Sequence, residues 1–205
     1  MKKVFAALFV ATSMSVMGLF STAAFAEPER YTFDPTHTEV IFSYRHLGMS
    51  RAYAQFNKIN GTLNMNKAAP EKSTVDVVID PASVDTGVDV FDEHLRGKDF
   101  FNVASFPKII FKSTKVQKVS GKKFKVLGNL TIKGKTKPVE LDLTYIIDQP
   151  HPLGAFNPKY KNVHVAAFSA KTSLKRSDFG LGLFAPATSD QVDIIIETEM
   201  FRQRP

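Results

Sequence analysis

His37, His46, His94, His151 and His164 are the imidazoles beyond residue 26. Imidazole does acid–base or metal chemistry only with a partner held beside it. None of the five has the H-x-H or H-E-x-x-H spacing that sets two ligands on one face of a strand or helix. His151 stands between two prolines, where an exposed loop position is expected. Gly48-Met49-Ser50-Arg51-Ala52 matches a serine nucleophile elbow up to its last position, where the second glycine is missing. The elbow also needs a helix after the serine, and strand-like sequence continues instead. Cysteine is absent, which removes thiol catalysis, thiolate metal sites and thioether haem attachment. Phosphate loops and dinucleotide fingerprints are absent too. The sequence therefore assigns no catalytic residue, no metal and no cofactor.

What remains is charge set beside aromatic surface. In HLRGKDFFNVASFPKIIF, His94 to Phe111, the cations Arg96 and Lys98 run directly into Phe100, Phe101, Phe106 and Phe111. Val84, Val88, Phe91 and Leu95 just before it recur at helical spacing, and Gly97 can end that helix. Two readings stay open: a helix plugging a core with its charges solvated, or a lid whose apolar face covers a cavity while Arg96 and Lys98 stand at the rim.

The elements around this segment are strands. Val139, Leu141, Leu143, Tyr145 and Ile147 alternate with polar residues, as do Val192, Ile194 and Ile196. Further strands are expected at 38–44, 52–56, 59–65, 74–79, 108–116, 124–132 and 163–174, with turns at Ser120-Gly121 and Lys133-Gly134-Lys135 and a long loop from Asp148 to Tyr160. Alternating strands joined by hairpins must bury their apolar faces. The expected fold is all-β with short helices, a closed antiparallel barrel of about eight strands. A two-layer sandwich satisfies the same periodicity.

Residues 1–26 read as an export signal: Lys2 and Lys3, an apolar run from Val4 to Phe20, then Ala24-Phe25-Ala26 before the cut. Residues 27–205 form one expected domain with 25 basic and 20 acidic residues, a net charge of +5. No basic face or reading motif argues for nucleic acid. The lysine-rich stretch KVQKVSGKKFK reads as a solvated hairpin tip or as a patch for an anionic membrane surface. Without disulfides, packing alone holds the exported domain, and the 14 Phe beyond residue 26 supply it.

FDPTHTEVIFSYRHLG, IDPASVDTG, DEHLRGKDFFNVASFPKIIFKST, VLGNLTIKGKTKPVEL and AFSAKTSLKRSDFG together resemble the YceI-like family of exported polyisoprenoid-binding, lipocalin-like proteins, in the family's order and across most of residues 27–205. The chain departs from the family's usual residues at Asn102, where Asp is common, and at Lys133-Gly134, where His-Gly is common. The resemblance implies a periplasmic, non-catalytic barrel whose interior holds a long isoprenoid lipid or quinone. The tunnel residues would be Phe42, Tyr44, Phe56, Phe91, Leu95, Phe100, Phe101, Phe111 and Phe168. His46, His94, Arg96, Lys98 and Arg176 would stand at the mouth near a head group. Partners would be the lipid, an anionic membrane at the surface and a second copy in a homodimer, with no nucleic acid. Two other functions fit the same barrel: a lipid-acting isomerase or hydrolase, and a stress-protective protein with a filled core.

Overall fold

The computed structural model describes residues 27–203, so the export signal expected at 1–26 lies outside the described residues. The strands are β1 (Glu29–His46), β2 (Ser50–Phe56), β3 (Ile59–Met65), β4 (Thr74–Ile79), β5 (Val84–Asp85), β6 (Ile109–Ser120), β7 (Lys123–Ile132), β8 (Lys135–Pro150), β9 (Val163–Lys175) and β10 (Gln191–Gln203). Among the described residues one α-helix, α1 (Asp89–Arg96), interrupts them, and short 3₁₀ turns lie in several of the remaining connections.

The sheet runs β10-β9-β8-β7-β6-β4-β3-β1-β2-β5 and closes on itself because β10 also pairs with β1. That closing ladder extends from Thr32 opposite Phe201 to Ser43 opposite Asp193. The result is a closed eight-stranded antiparallel barrel. β1 makes closure workable by changing partners along its length. Its first residues, Glu29 to Thr32, pair with β3, and Val40 to His46 pair with β2. Between them the β1–β10 register shifts at Asp34–His37. A bulge there bends the strand so that both halves stay in the wall. β5 pairs only at the free edge of β2.

Alternation sorts the side chains as the pleat requires. Phe42, Phe56, Phe111, Val126 and Leu130 join one buried cluster with Leu95 and Phe101 from the α1 segment. Tyr31, Ala166 and Met200 form a smaller one. Gly128 lies under Phe111: a methyl there would sit 2.5 Å from the ring's Cε2 and 2.6 Å from the Lys112 carbonyl oxygen. Phe111 can cover the sheet at this point only because Gly128 lacks a Cβ.

The structure adjusts several expectations. β1 begins nine residues earlier than the Thr38 start read from the pattern, because Pro35 and the bulge break the alternation there. Val84 belongs to β5, and Val88 is the exposed N-cap of α1, so the helical face retains only Phe91 and Leu95 of the expected four. Asp148, expected in a loop, lies within β8. His151 is not simply exposed: its ring stacks on Tyr160 with centroids 4.0 Å apart.

Candidate functional site

The barrel encloses a cavity of about 620 Å³, within the range of small-molecule sites. Its wall along β6 reaches from Ile109 to Val116, about 23 Å of extended chain. All nine expected tunnel residues line it: Phe42, Tyr44, Phe56, Phe91, Leu95, Phe100, Phe101, Phe111 and Phe168. Val126, Leu130, Leu141, Leu143 and Tyr145 add to the wall, and the period-two pattern of β7 and β8 already marked them as facing one side.

The connection from β4 to β6 places the helix at one end of the barrel. Phe101 meets Phe42 and Phe56 with ring centroids 6.5 and 5.5 Å away, so this segment packs its aromatic rings into the cavity wall. His94 stacks on Phe91 and tilts onto Phe100, with centroids at 6.2 and 4.8 Å. The apolar side of this segment therefore both packs on the core and lines the cavity. Asn102 and Lys133, the two departures from the family's usual residues, both adopt left-handed backbone. Asn tolerates that conformation well. Lys133 Nζ also donates to the Lys98 carbonyl at 2.9 Å, tying the β7–β8 turn to the segment after α1.

Of the five expected mouth residues, His46, His94 and Arg176 line the cavity. Arg176 is only 7 % exposed. Its Nε donates to the Ser189 carbonyl at 2.8 Å, and its terminal nitrogens donate to the carbonyls of Leu181, of Leu183 at 2.8 Å and of Thr188 at 2.8 Å. These bonds fold the β9–β10 loop around the guanidinium. Burial lowers the Arg176 pKa from its ordinary value, opposed by Asp190 and Tyr44. The Tyr44 hydroxyl is pushed up by burial, with Arg176 opposing.

Arg96 and Lys98 are not among the lining residues. Arg96 Nε donates to the Ala82 carbonyl at 2.8 Å and Nη2 to the Val84 carbonyl at 2.9 Å, with Asp92 3.7 Å away. Arg96 thus clamps α1 to β5 and the turn before it, a placement that does not support a head-group contact.

The opposite end holds a polar assembly that spacing along the chain did not announce. Asp148, with a side chain 3 % exposed, meets Lys67 Nζ at 2.5 Å and His164 Nδ1 at 2.5 Å, and accepts from the Tyr31 hydroxyl at 3.1 Å. Lys67 also meets Glu29 at 2.7 Å, and Arg202 reaches Glu29 at 3.3 Å. A buried carboxylate is tolerable only with such partners. Burial would lower the Lys67 pKa, but its bonds to Asp148 and Glu29 hold it above the ordinary value. Burial would raise Glu29, yet Lys67 and Tyr31 leave it below the usual carboxylate range. Lys67 and Asn66 also line this end of the cavity.

At the β1 bulge, Asp34, His37 and Glu199 bring one potential ligand atom each within 4.8 Å of one another. Asp34 there accepts from Thr36 N at 3.0 Å and Thr36 Oγ1 at 2.8 Å, and its second oxygen meets His37 Nδ1 at 2.6 Å. These bonds account for the turn that shapes the bulge.

Ser50 begins β2 in an exposed hairpin, with no helix behind it, so the elbow geometry is absent at this position. The lining is overwhelmingly hydrocarbon and its buried cation is committed to backbone carbonyls, an arrangement suited to enclosing an apolar molecule.

The YceI-like domain model matches residues 31–200. A UPF0312 protein of Pectobacterium carotovorum subsp. carotovorum is 34 % identical over 194 residues, covering 94 % of this chain and 96 % of the relative. A UPF0312 protein of Yersinia pestis is 36 % identical over 188 residues, covering 91 % and 93 %. Among solved structures, the YceI protein of Campylobacter jejuni aligns with a TM-score of 0.68 at 28 % identity, over 78 % of this chain and 90 % of that one. A polyisoprenoid binding domain from Saccharophagus degradans shares the fold at TM-score 0.58 and 13 % identity, over 86 % and 99 %. With the closed barrel, its apolar cavity and a family match across nearly the whole described chain, this protein belongs to the YceI-like domain family.

Proposed function

We propose that the protein is a periplasmic carrier that sequesters or shuttles one long isoprenoid lipid or quinone inside its barrel, without covalent chemistry. Residues 1–26 serve as the cleaved export signal and residues 27–205 as the lipid-binding domain. The observation that carries this reading is the cavity of about 620 Å³, walled from the His46 end to the Lys67 end by aromatic and aliphatic side chains. Each methylene transferred from water to such a wall contributes about 0.8 kcal/mol, so a long chain gains affinity from hydrocarbon burial alone. The likeness to a polyisoprenoid binding domain supports the same ligand class. The cavity weighs against a filled, ligand-free core.

Native mass spectrometry of protein purified without detergent, followed by lipid extraction, tests the proposal. The expected result is one long apolar lipid per chain, or saturable uptake of a fluorescent isoprenoid analogue by the apo form. Apo mass alone together with no saturable uptake overturns it. Steady conversion of an isoprenoid substrate, lost on changing one polar cavity residue, would overturn the non-catalytic part.

A further inference from the structure

The β1–β2 hairpin and the β9–β10 loop lie at the helix end of the barrel and are joined there: Ser189 N donates to the Arg45 carbonyl at 2.9 Å and Arg45 N to Ser189 Oγ at 2.9 Å. Together they present exposed apolar side chains. Leu47 is 49 % exposed, Met49 76 %, Leu183 40 % and Phe184 58 %. Leu183 and Phe184 also line the cavity. The apolar wall of the tunnel therefore continues onto the outer surface at this rim.

We propose that this rim docks on an anionic bilayer, with Leu47, Met49, Leu183 and Phe184 entering the interface so that a lipid tail passes between membrane and tunnel along a continuous apolar path. The charge pattern fits that partner. Residues 45–51, RHLGMSR, flank Leu47 and Met49 with the exposed Arg45 and His46 and contain no acid, Arg51 being paired with Asp193 at 2.8 Å, and residues 181–189, LGLFAPATS, carry no charge. Arginines beside inserted apolar side chains keep their stems in the interface and their heads at the phosphates. The other end lacks the apolar continuity. Its cavity margin, Asn66, Lys67, Pro70, Ser73 and Thr74, is mostly polar, and the exposed Phe156 is not a lining residue. This inference rests on the lipid-carrier reading, to which it adds the membrane partner and the end that meets it.

The test is co-sedimentation with vesicles of equal parts phosphatidylglycerol and phosphatidylcholine, and with phosphatidylcholine alone, using the mature protein. Wild type is expected to bind the anionic vesicles and to bind the neutral ones at least about tenfold more weakly. Leu47→Asp/Met49→Asp should lose about tenfold or more in anionic-vesicle binding, while Val119→Asp at the opposite hairpin tip keeps wild-type binding. Circular dichroism checks that each variant is folded. Uptake of a fluorescent isoprenoid analogue from solution should be unchanged in the double variant, because neither residue lines the cavity, whereas its transfer from vesicles should slow. No anionic-vesicle binding by wild type, or undiminished binding by the folded double variant, overturns docking at this rim. Loss of binding on Lys118→Glu/Lys122→Glu instead would place docking at the other end and overturn it equally. Failure of uptake from solution in wild type would sink the carrier reading, while the sedimentation result would still decide the docking.

Discussion

Phe101 sets its ring edge-on against Phe56, with centroids 5.5 Å apart and planes at 68°. That contact fastens the segment after α1 to the barrel wall, and Phe101 faces the cavity at the same time. Phe101→Asp is therefore expected to abolish uptake of a neutral quinone and of an anionic prenyl phosphate alike, because it sets a carboxylate against hydrocarbon. Phe101→Leu keeps the site apolar and should retain uptake. Binding isotherms on variants shown to be folded by circular dichroism decide it; wild-type binding by folded Phe101→Asp would contradict the expectation.

Arg96 gives a different expectation from the one its sequence position suggests. Removing its guanidinium leaves the carbonyls of Ala82 and Val84 without that donor, so Arg96→Ala should cost about 1–3 kcal/mol of stability. Preference between the quinone and the prenyl phosphate should not move. Urea denaturation and the two binding isotherms check both halves.

The Asp34–His37 pair makes stability depend on pH in a defined direction. The Asp34 hydrogen bond raises the His37 pKa above its ordinary 6.5, a contribution present below that value and lost as pH rises through the raised one. Burial opposes the shift of Asp34, but hydrogen bonds from His37 and Thr36 hold its carboxyl below 3.8. Its contribution is present above 3.8 and lost as pH falls through the lowered value. His37→Asn should flatten the neutral-to-alkaline decline in melting temperature while leaving an acid limb. The side chain of His37 is largely exposed, so the change should stay below about 1 kcal/mol. An unchanged alkaline slope in the variant would remove His37 as its cause.

Tyr31 should ionise late. Burial first, then its hydrogen bond to Glu29 and the nearby Asp148 charge, push its pKa from 10.0 to about 12, against Arg202 and Lys67. The associated stability is present below pH 10 and lost as pH rises through about 12. Phenolate absorbance during alkaline titration should show a late step coinciding with unfolding. Tyr31→Phe should remove it and lower stability by about 1–3 kcal/mol, since Asp148 loses one of its donors.

The sequence by itself determined the strand faces and hence most of the tunnel wall. Alternation is local: Phe42 and Tyr44 on β1, or Leu141 and Leu143 on β8, share a side of the pleat whatever the strand pairs with. The hairpin turns were equally visible, since Gly121 and Gly134 take the positive φ that such turns demand. Polar side chains carry no comparable local signal, because their role depends on partners far along the chain. Arg96 and Arg176 look alike as cations beside aromatic strands, yet one clamps a helix from outside the cavity lining and the other is buried at its margin. Lys67, Asp148 and His164 meet only because the barrel brings the β3–β4 connection beside β8 and β9. Leu183 and Phe184 join the cavity only because Arg176 gathers their loop through its carbonyls. Tertiary structure decided these because buried charges and loop side chains take the positions their long-range hydrogen bonds permit, and no period along the chain encodes that geometry.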